Sequence, residues 1–167
     1  PSAIELKLDP ETAKIASTRL AAMTKASGMG IPFNMDAWDG YPAARTRLMQ
    51  SALAADANLV VLSGDSHNAW AFDLDHHGAR VGVEMGGHSV TSPGAEGSIG
   101  WQAPADLARE TVARNHQLKW CDTAQRGYMA VELTPRSATS EWRFMASIRQ
   151  KGTALAGTRR MTVLAGK

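Results

Sequence analysis

The chain has 167 residues, of which 44% are hydrophobic and 20% charged, and its formal net charge is +2. That length and apolar content predict one domain, or a large piece of one, with a buried core, and they exclude a chain disordered throughout. The balance of 18 basic and 16 acidic residues indicates no nucleic-acid interface, and the longest apolar run is too short to span a membrane.

Two helices are predicted in the first third of the chain. The first covers residues 9–28, with Asp9 as its N-cap, Pro10 at its first helical position and Gly28 at its end. An irregular stretch over residues 31–41 is rich in Pro, Asn, Asp and Gly. It separates the first helix from a second one over residues 42–55.

Strands dominate the rest of the chain. Residues 59–63 are continuously apolar, which is typical of a strand covered on both faces, and two further strands at 70–74 and 80–85 flank a turn. Residues 86–100 are dense in Gly, Ser and Pro and predict a long loop of the kind that is usually functional.

The last third is predicted to contain one short helix and three strands. The helix covers residues 105–115, and the strands lie at 129–133, 141–144 and 161–164. Helices first and strands afterwards favour a mixed-sheet α/β layered structure. No composition shift marks a boundary, so residues 1–167 are interpreted as a single domain or domain fragment.

The segment Gly64-Asp65-Ser66-His67 directly follows the apolar strand. In open α/β sheets, ligands bind beyond the carboxyl ends of strands. If the backbone there is extended, Asp65 and His67 point the same way and can hold one metal ion or bridge two. The alternative is that Asp65 caps the following turn and His67 is an ordinary surface residue.

Further motifs follow in chain order: Asn34-Met35-Asp36-Ala37-Trp38-Asp39-Gly40-Tyr41, the helix bearing Arg45 and Arg47, Val83-Glu84, His88-Ser89-Val90-Thr91-Ser92-Pro93-Gly94, Arg126-Gly127-Tyr128 and Trp142-Arg143-Phe144. As a series, they resemble the alkaline phosphatase D (PhoD-like) family. The resemblance covers residues 30–145. It implies the C-terminal part of a four-layer αββα metallophosphoesterase sandwich, whose other metal ligands lie upstream of the matched region.

The resemblance implies hydrolysis of phosphomonoesters or phosphodiesters by hydroxide that two metal ions activate. It implies iron with calcium as those ions, with manganese or zinc as alternatives. By resemblance, Asp65 and His67 are metal ligands. Asn68 either contacts phosphate or caps the next segment.

Three more residues are candidate substrate contacts. Arg45 and Arg126 are candidates for a bidentate clamp on the substrate phosphate, against the alternative of ordinary salt bridges. His88 opens the Gly/Ser-rich loop and is a candidate for contacting substrate or metal. Glu84 is expected to hold the active-site loops by hydrogen bonds, and Cys121 is expected to be buried.

Three functional interpretations remain open. The first is a phosphoesterase that acts on a phosphate ester, with this chain pairing with the upstream part of the enzyme or with a second chain. The second is a catalytically incomplete domain that folds or pairs with a partner without activity. The third is a mononuclear metal hydrolase that uses His88 or His116 as an extra ligand. The family resemblance also implies export to the periplasm or beyond.

Overall fold

The computed structural model describes residues 10–32, 34–95 and 103–166. Its elements in chain order are α1 (Pro10–Gly28), a 3-10 helix (Trp38–Gly40), α2 (Pro42–Ala54), β1 (Leu59–Ser63), β2 (Ala69–His76), β3 (Ala79–Gly86), α3 (Pro104–Arg114), β4 (Leu118–Asp122), β5 (Gly127–Thr134), β6 (Ser137–Met145) and β7 (Leu155–Leu164). The chain divides into two compact units, with the boundary between Ser51 and Ala52. None of the described helices is long and apolar enough to cross a membrane.

The first unit contains α1, the 3-10 helix and most of α2. The helix predicted over residues 9–28 is confirmed as α1, while its expected N-cap, Asp9, lies outside the described residues. The stretch predicted to be irregular contains the short 3-10 helix, which the Gly40 amide closes by donating to the Ala37 carbonyl at 2.8 Å. The Asn34 side chain precedes it and accepts a hydrogen bond from the Asp36 amide at 2.9 Å.

The first sheet of the second unit has the strand order β1-β3-β2-β4. β1 and β3 are parallel, while β2 is antiparallel to both β3 and β4. His77 and Gly78 form the predicted turn between β2 and β3, and both have positive φ, as two-residue type I′ hairpin turns require. β4 was not predicted, because its five residues include Lys119 and Asp122 and show no long apolar run.

The second sheet is an antiparallel meander in the order β5-β6-β7. Its first turn lies at Pro135 and Arg136, between the ends of β5 and β6. β7 begins at Leu155 and is longer than the predicted strand at 161–164. The added part contains two charged residues, which hid the strand from the sequence analysis because their partners lie on other strands. The Arg159 guanidinium lies 5.7 Å from the Trp120 ring centroid, and Arg160 pairs with Glu132 at 3.5 Å.

The core lies between the two sheets. Its buried members are Ala69, Ala71, Val83, Met85, Trp142 and Phe144. The Trp142 side chain is fully buried, and its indole N–H donates to the Gly86 carbonyl at 2.8 Å, so β6 is tied to the end of β3. The mixed α/β fold with two sheets and few helices is therefore confirmed, while the single-domain interpretation stays a prediction.

Helix α3 packs against β4, where the free thiol of Cys121 lies. The thiol approaches the Ala108 carbonyl at 3.6 Å, and burial raises the pKa of Cys121 to about 11. A thiol with that pKa stays protonated near neutral pH and is a weak nucleophile. Cys121 is thus confirmed as a buried residue.

Candidate functional site

Several strands begin or end at the same end of the first sheet. We call this end, which runs across the strands, the site edge. The last residue of β1, Ser63, is in register with the last residue of β3, Gly86, and the first residue of β2, Ala69, is in register with Asp122 at the end of β4. The segments at residues 64–68, 87–95 and 123–126 therefore all leave the sheet at the site edge. Five candidate residues lie on them: Asp65, His67, Asn68, His88 and Arg126.

The loop at residues 64–68 has a strained backbone. Asp65 has a φ of 66° and His67 a φ of 60°, values that residues other than glycine rarely adopt. The Ser66 amide donates to the Gly64 carbonyl at 2.8 Å, so Asp65 is the central residue of a tight three-residue turn. The expectation of an extended backbone here is wrong. Such strain costs about 1–3 kcal/mol per residue and persists only where surrounding contacts hold it.

His67 is oriented by the loop at residues 87–95. Its Nδ1–H donates to the Pro93 carbonyl at 2.9 Å. Since a carbonyl oxygen only accepts hydrogen bonds, this contact assigns a proton to Nδ1, and in the neutral ring it leaves the lone pair on Nε2. Metal-binding histidines use this arrangement, in which a backbone acceptor fixes the tautomer that ligates.

The donor set at this loop fits part of a metal site. Asp65 is exposed and offers a carboxylate, and His67 offers Nε2, both of which are common ligands of transition metals. Catalytic metal sites such as those of zinc hydrolases use about three protein ligands. Within the described ranges, no group of three or more His, Cys, Asp or Glu side chains is placed to hold a metal ion. Asp65 and His67 can therefore supply two of the ligands that a metal would need.

Glu84 links the two parallel strands behind the 64–68 loop. The Ser63 hydroxyl at the end of β1 donates to the Glu84 carboxylate at 2.5 Å. This bond joins β1 to β3 at the site edge and confirms that Glu84 helps to hold the strands from which the loops emerge.

Asn68 is buried and joins two loops. Its Nδ2 donates to the Ser66 carbonyl at 2.8 Å, and its Oδ1 accepts from the Ala95 amide at 3.0 Å. Because strand β2 begins at the next residue, there is no helix for Asn68 to cap, and the capping interpretation is wrong. Its contact with phosphate stays a prediction.

Two residues that sequence reasoning missed also hold the 64–68 loop. The Trp70 indole N–H donates to the Ser66 hydroxyl at 2.6 Å, and Pro93 supplies the carbonyl that orients His67. Their sequence separations from the loop differ widely, and one contact is to a backbone oxygen. No side-chain pattern in the sequence signals either of them.

The two arginine candidates lie in different units. Arg126 is buried, and one guanidinium nitrogen donates to the carbonyls of Ala124 and Gln125 at 2.7 Å and 3.0 Å. Burial lowers the pKa of Arg126, which is still a strong base. Arg45 lies on α2 in the first unit. A phosphate clamp by either residue stays a prediction.

His88 begins at the site edge, but its ring packs into the core. The ring centroid lies 5.0 Å from that of Phe144, and neither ring nitrogen makes a hydrogen bond of good geometry within the described structure. A Cβ atom at Gly127 would overlap the Arg143 carbonyl and lie 2.9 Å from His88 Nε2, so only glycine fits there. Contact of His88 with substrate or metal stays a prediction.

His116 lies at the opposite edge of the first sheet. Its Nε2 bonds to the Asp75 carboxylate at 3.0 Å, and Asp75 is near the end of β2 that is remote from the site edge. The interpretation of His116 as an extra ligand beside Asp65 is therefore wrong. A groove with a volume of about 520 Å³ also opens at this opposite edge, and none of the candidate site residues lines it.

The burial of His88 predicts a loss of stability in acid. Burial lowers the pKa of His88 below 6.5, Arg126 lowers it further, and the Arg143 carbonyl and Asp122 oppose the shift. As the pH falls below about 6.5, His88 takes up a proton more readily in the unfolded chain than in the folded chain, and this favours unfolding. We expect the free energy of unfolding to decrease between about pH 7.5 and about pH 5, as measured by urea denaturation.

The variant His88→Phe should weaken this pH dependence, because a phenylalanine ring in the same place takes up no proton. The matched control is Leu133→Phe at an exposed residue of β5, which changes no titratable group and should keep the wild-type pH dependence. An unchanged slope in His88→Phe would contradict the assignment.

Comparisons with known proteins agree on one family. The family model described as PhoD-like phosphatase matches residues 9–142. Alkaline phosphatase D of Bacillus subtilis (strain 168) is 31% identical over an alignment of 129 residues, and the match covers 74% of this chain and 21% of that protein. A solved structure of PhoD superposes with a TM-score of 0.65 at 29% identity, covering 78% of this chain and 25% of that one. The chain thus spans about a fifth to a quarter of the length of these relatives.

Proposed function

Because this chain belongs to the PhoD-like phosphatase family, we propose that it supplies one metal-binding loop to a phosphoesterase active site. Asp65 and His67 are the proposed ligands. The observation that carries this proposal is the bond from His67 Nδ1 to the Pro93 carbonyl at 2.9 Å, which prepares Nε2 for a metal ion. The family supports phosphoester hydrolysis, and the metal dependence is our inference.

The proposed chemistry needs little from this chain beyond positioning. Bound metal ions would supply Lewis acidity and an activated water, as in two-metal phosphatases. The resemblance implies iron with calcium, with manganese or zinc as alternatives. Asp65 and His67 would hold the ions at the site edge. Arg126, on the neighbouring segment, would place positive charge near the substrate phosphate, which is a monoester or diester in this proposal.

A phosphatase assay with and without chelator tests the proposed function. Metal-loaded protein should hydrolyse an aryl phosphate, and removal of metal should lower turnover by at least about 100-fold, because the hydroxide nucleophile depends on the ion. Turnover should return on adding back iron with calcium, manganese or zinc. Hydrolysis that is insensitive to a strong chelator would contradict the metal dependence.

A second candidate function is a domain without activity of its own. Its support is that, among the described residues, no group of three or more His, Cys, Asp or Glu side chains is placed to hold a metal ion. Stoichiometric metal binding together with turnover by the isolated chain would exclude this candidate. Metal binding without turnover would favour it.

We also propose that β1 pairs with a strand of a further polypeptide segment, either from the upstream part of the enzyme or from a second chain. β1 is the terminal strand of its sheet, and within the described ranges it pairs with β3 alone. Its sequence Leu-Val-Val-Leu-Ser has no charge or proline to block pairing, and Leu62 is 51% exposed. By contrast, the β7 edge of the second sheet carries Arg159 and Arg160.

The β1 edge predicts self-association of the chain when no partner is present. The average mass of the wild type in light scattering should rise with concentration, because unpaired strand edges associate. Leu62→Lys should shift the protein toward monomer, since it places a charge on the edge. The control Leu164→Lys, at a site 54% exposed on β7, should behave like the wild type. A compact wild-type monomer at all concentrations would count against the proposal.

Export of the whole protein is implied by the family resemblance and stays a prediction. Fractionation of producing cells, with phosphatase activity measured in each fraction, tests it. Activity confined to the cytoplasmic fraction would contradict it.

A further inference from the structure

We propose that Asn68 is a positioning residue whose side-chain amide ties the 64–68 loop to the 87–95 loop and so fixes the ligating tautomer of His67. The consequence for catalysis rests on the proposed function. The tie itself rests on hydrogen bonds between described residues.

Asn68 meets the two loops with different ends of one amide group. Its Oδ1 accepts from the Ala95 amide at 3.0 Å, and its Nδ2 donates to the Ser66 carbonyl at 2.8 Å. The residue is 7% exposed, so water is a poor substitute for either partner. The asparagine side chain is short and carries both a hydrogen-bond acceptor and a donor at its end, so it can make both of these bonds.

The Ala95 contact controls the carbonyl that orients His67. The 87–95 loop is fastened near its start, where the Gly127 amide donates to the Ser89 carbonyl at 3.0 Å. It is fastened near its other end by Asn68, and the Pro93 carbonyl lies between these two points. The Ser89 hydroxyl also donates to the Ser92 carbonyl within this loop, so release of Ala95 is expected to shift the Pro93 carbonyl and to weaken its hydrogen bond with the Nδ1–H of His67.

A shift of the tautomer equilibrium would lower the fraction of His67 that can bind a metal through Nε2. When no acceptor holds the proton on Nδ1, neutral imidazole also populates the form protonated on Nε2, which has no lone pair there for a metal. Asn68 therefore acts on the metal through His67, without touching it.

The Ser66 contact supports the strained turn between the two proposed ligands. All three polar groups of Ser66 are bonded: its amide to Gly64, its hydroxyl to Trp70 and its carbonyl to Asn68. Because the residues on both sides have positive φ, loss of one of these bonds is expected to loosen the turn.

The test is nuclear magnetic resonance of the metal-free chain, labelled with 15N, at pH 8. Long-range spectra report which nitrogen of His67 carries the proton, and hydrogen exchange reports the protection of the Ala95 amide. The wild type should show the Nδ1–H form and a protected amide. In Asn68→Leu, a fraction of the Nε2–H form should appear, and the Ala95 amide should exchange about tenfold faster.

Asn68→Asp separates the two bonds and covers the case in which Asn68→Leu fails to fold. It keeps an acceptor for Ala95 but has no donor for Ser66, so it should retain the Ala95 protection and lose the Ser66 bond. The matched control is Asn58→Leu. The Asn58 Oδ1 also accepts a hydrogen bond from a backbone amide, that of Gly166 at 2.6 Å, but Asn58 precedes the first residue of β1 and so lies far from the site edge. This control should leave the His67 tautomer unchanged. Wild-type tautomer and wild-type Ala95 protection in Asn68→Leu would overturn the proposal, as would loss of Ala95 protection in Asn68→Asp.

Titration with Zn²⁺ alone separates this proposal from the proposed function. Asn68→Leu should bind Zn²⁺ about 10–100-fold more weakly than the wild type, the range found when an outer partner of a ligand is lost. If the wild type binds no Zn²⁺ but the tautomer changes as expected, the function fails and the tie stands. If the wild type binds Zn²⁺ and hydrolyses an aryl phosphate while Asn68→Leu matches it in zinc affinity and His67 tautomer, the proposed role of Asn68 fails and the proposed function stands.

Discussion

Replacing His67 by alanine should lower kcat/KM for an aryl phosphate by more than about 100-fold in the metal-loaded enzyme. Loss of an outer-shell partner costs about 10–100-fold, and loss of a ligand removes a direct bond to the ion. Asp65→Ala should have an effect of the same order. The metal content of each variant must be measured beside its turnover, because lost ligation should lower both.

His77→Ala is the matched control for His67→Ala. His77 also has positive φ in a tight turn, but it is exposed and lies at the edge of the sheet opposite the site edge. It should keep wild-type turnover. If His67→Ala or Asp65→Ala kept near wild-type turnover with full metal content, the ligand assignment would be wrong.

Replacing Trp142 by alanine should lower the free energy of unfolding by about 3–5 kcal/mol. The side chain is fully buried between the sheets, its ring centroid lies 4.9 Å from that of Trp120, and its indole N–H is bonded to the Gly86 carbonyl. Truncation therefore leaves both a cavity and an unpaired carbonyl at the end of β3. Urea denaturation followed by circular dichroism measures the change.

Two further variants divide the effect of Trp142→Ala. Trp142→Phe keeps much of the ring volume and loses the hydrogen bond, so its cost should be smaller and include about 1–3 kcal/mol for the unpaired buried carbonyl. Leu133→Ala, at a residue 65% exposed in the same unit, should cost no more than about 0.5 kcal/mol. A cost below about 1 kcal/mol for Trp142→Ala would show that the two sheets do not depend on this residue.

The parts of the fold that the sequence predicts well are those with a local signal. The apolar run of β1 places that strand at its observed bounds, and the alternation at 129–133 and 141–144 locates parts of the longer strands β5 and β6. β4 and most of β7 lack such a signal, because charged residues interrupt any apolar pattern in them. Two of the charged residues in β7 have partners far along the chain. The Arg159 contact with Trp120 is one example, and the Arg160 pair with Glu132 is another.

The candidate site shows the same division. Residue types and spacing after an apolar strand are enough to propose Asp65 and His67. The expectation that this strand is covered on both faces is wrong, because β1 is the terminal strand of its sheet and none of its residues is fully buried. The backbone conformation of Asp65 and His67 is not predictable in this way, because positive φ at two non-glycine residues is held by tertiary contacts. The Pro93 carbonyl is 26 residues away from His67 and the Ala95 amide 27 residues from Asn68, so both partners depend on the folded position of the 87–95 loop.

The most direct test of the metal-ligand assignment is an anomalous diffraction map from crystals of the zinc-loaded protein. A zinc peak should lie about 2.0–2.2 Å from His67 Nε2 and from an oxygen of Asp65, with Nδ1 still bonded to the Pro93 carbonyl. A zinc peak elsewhere in an active enzyme, or one bonded to His67 through Nδ1, would contradict the account.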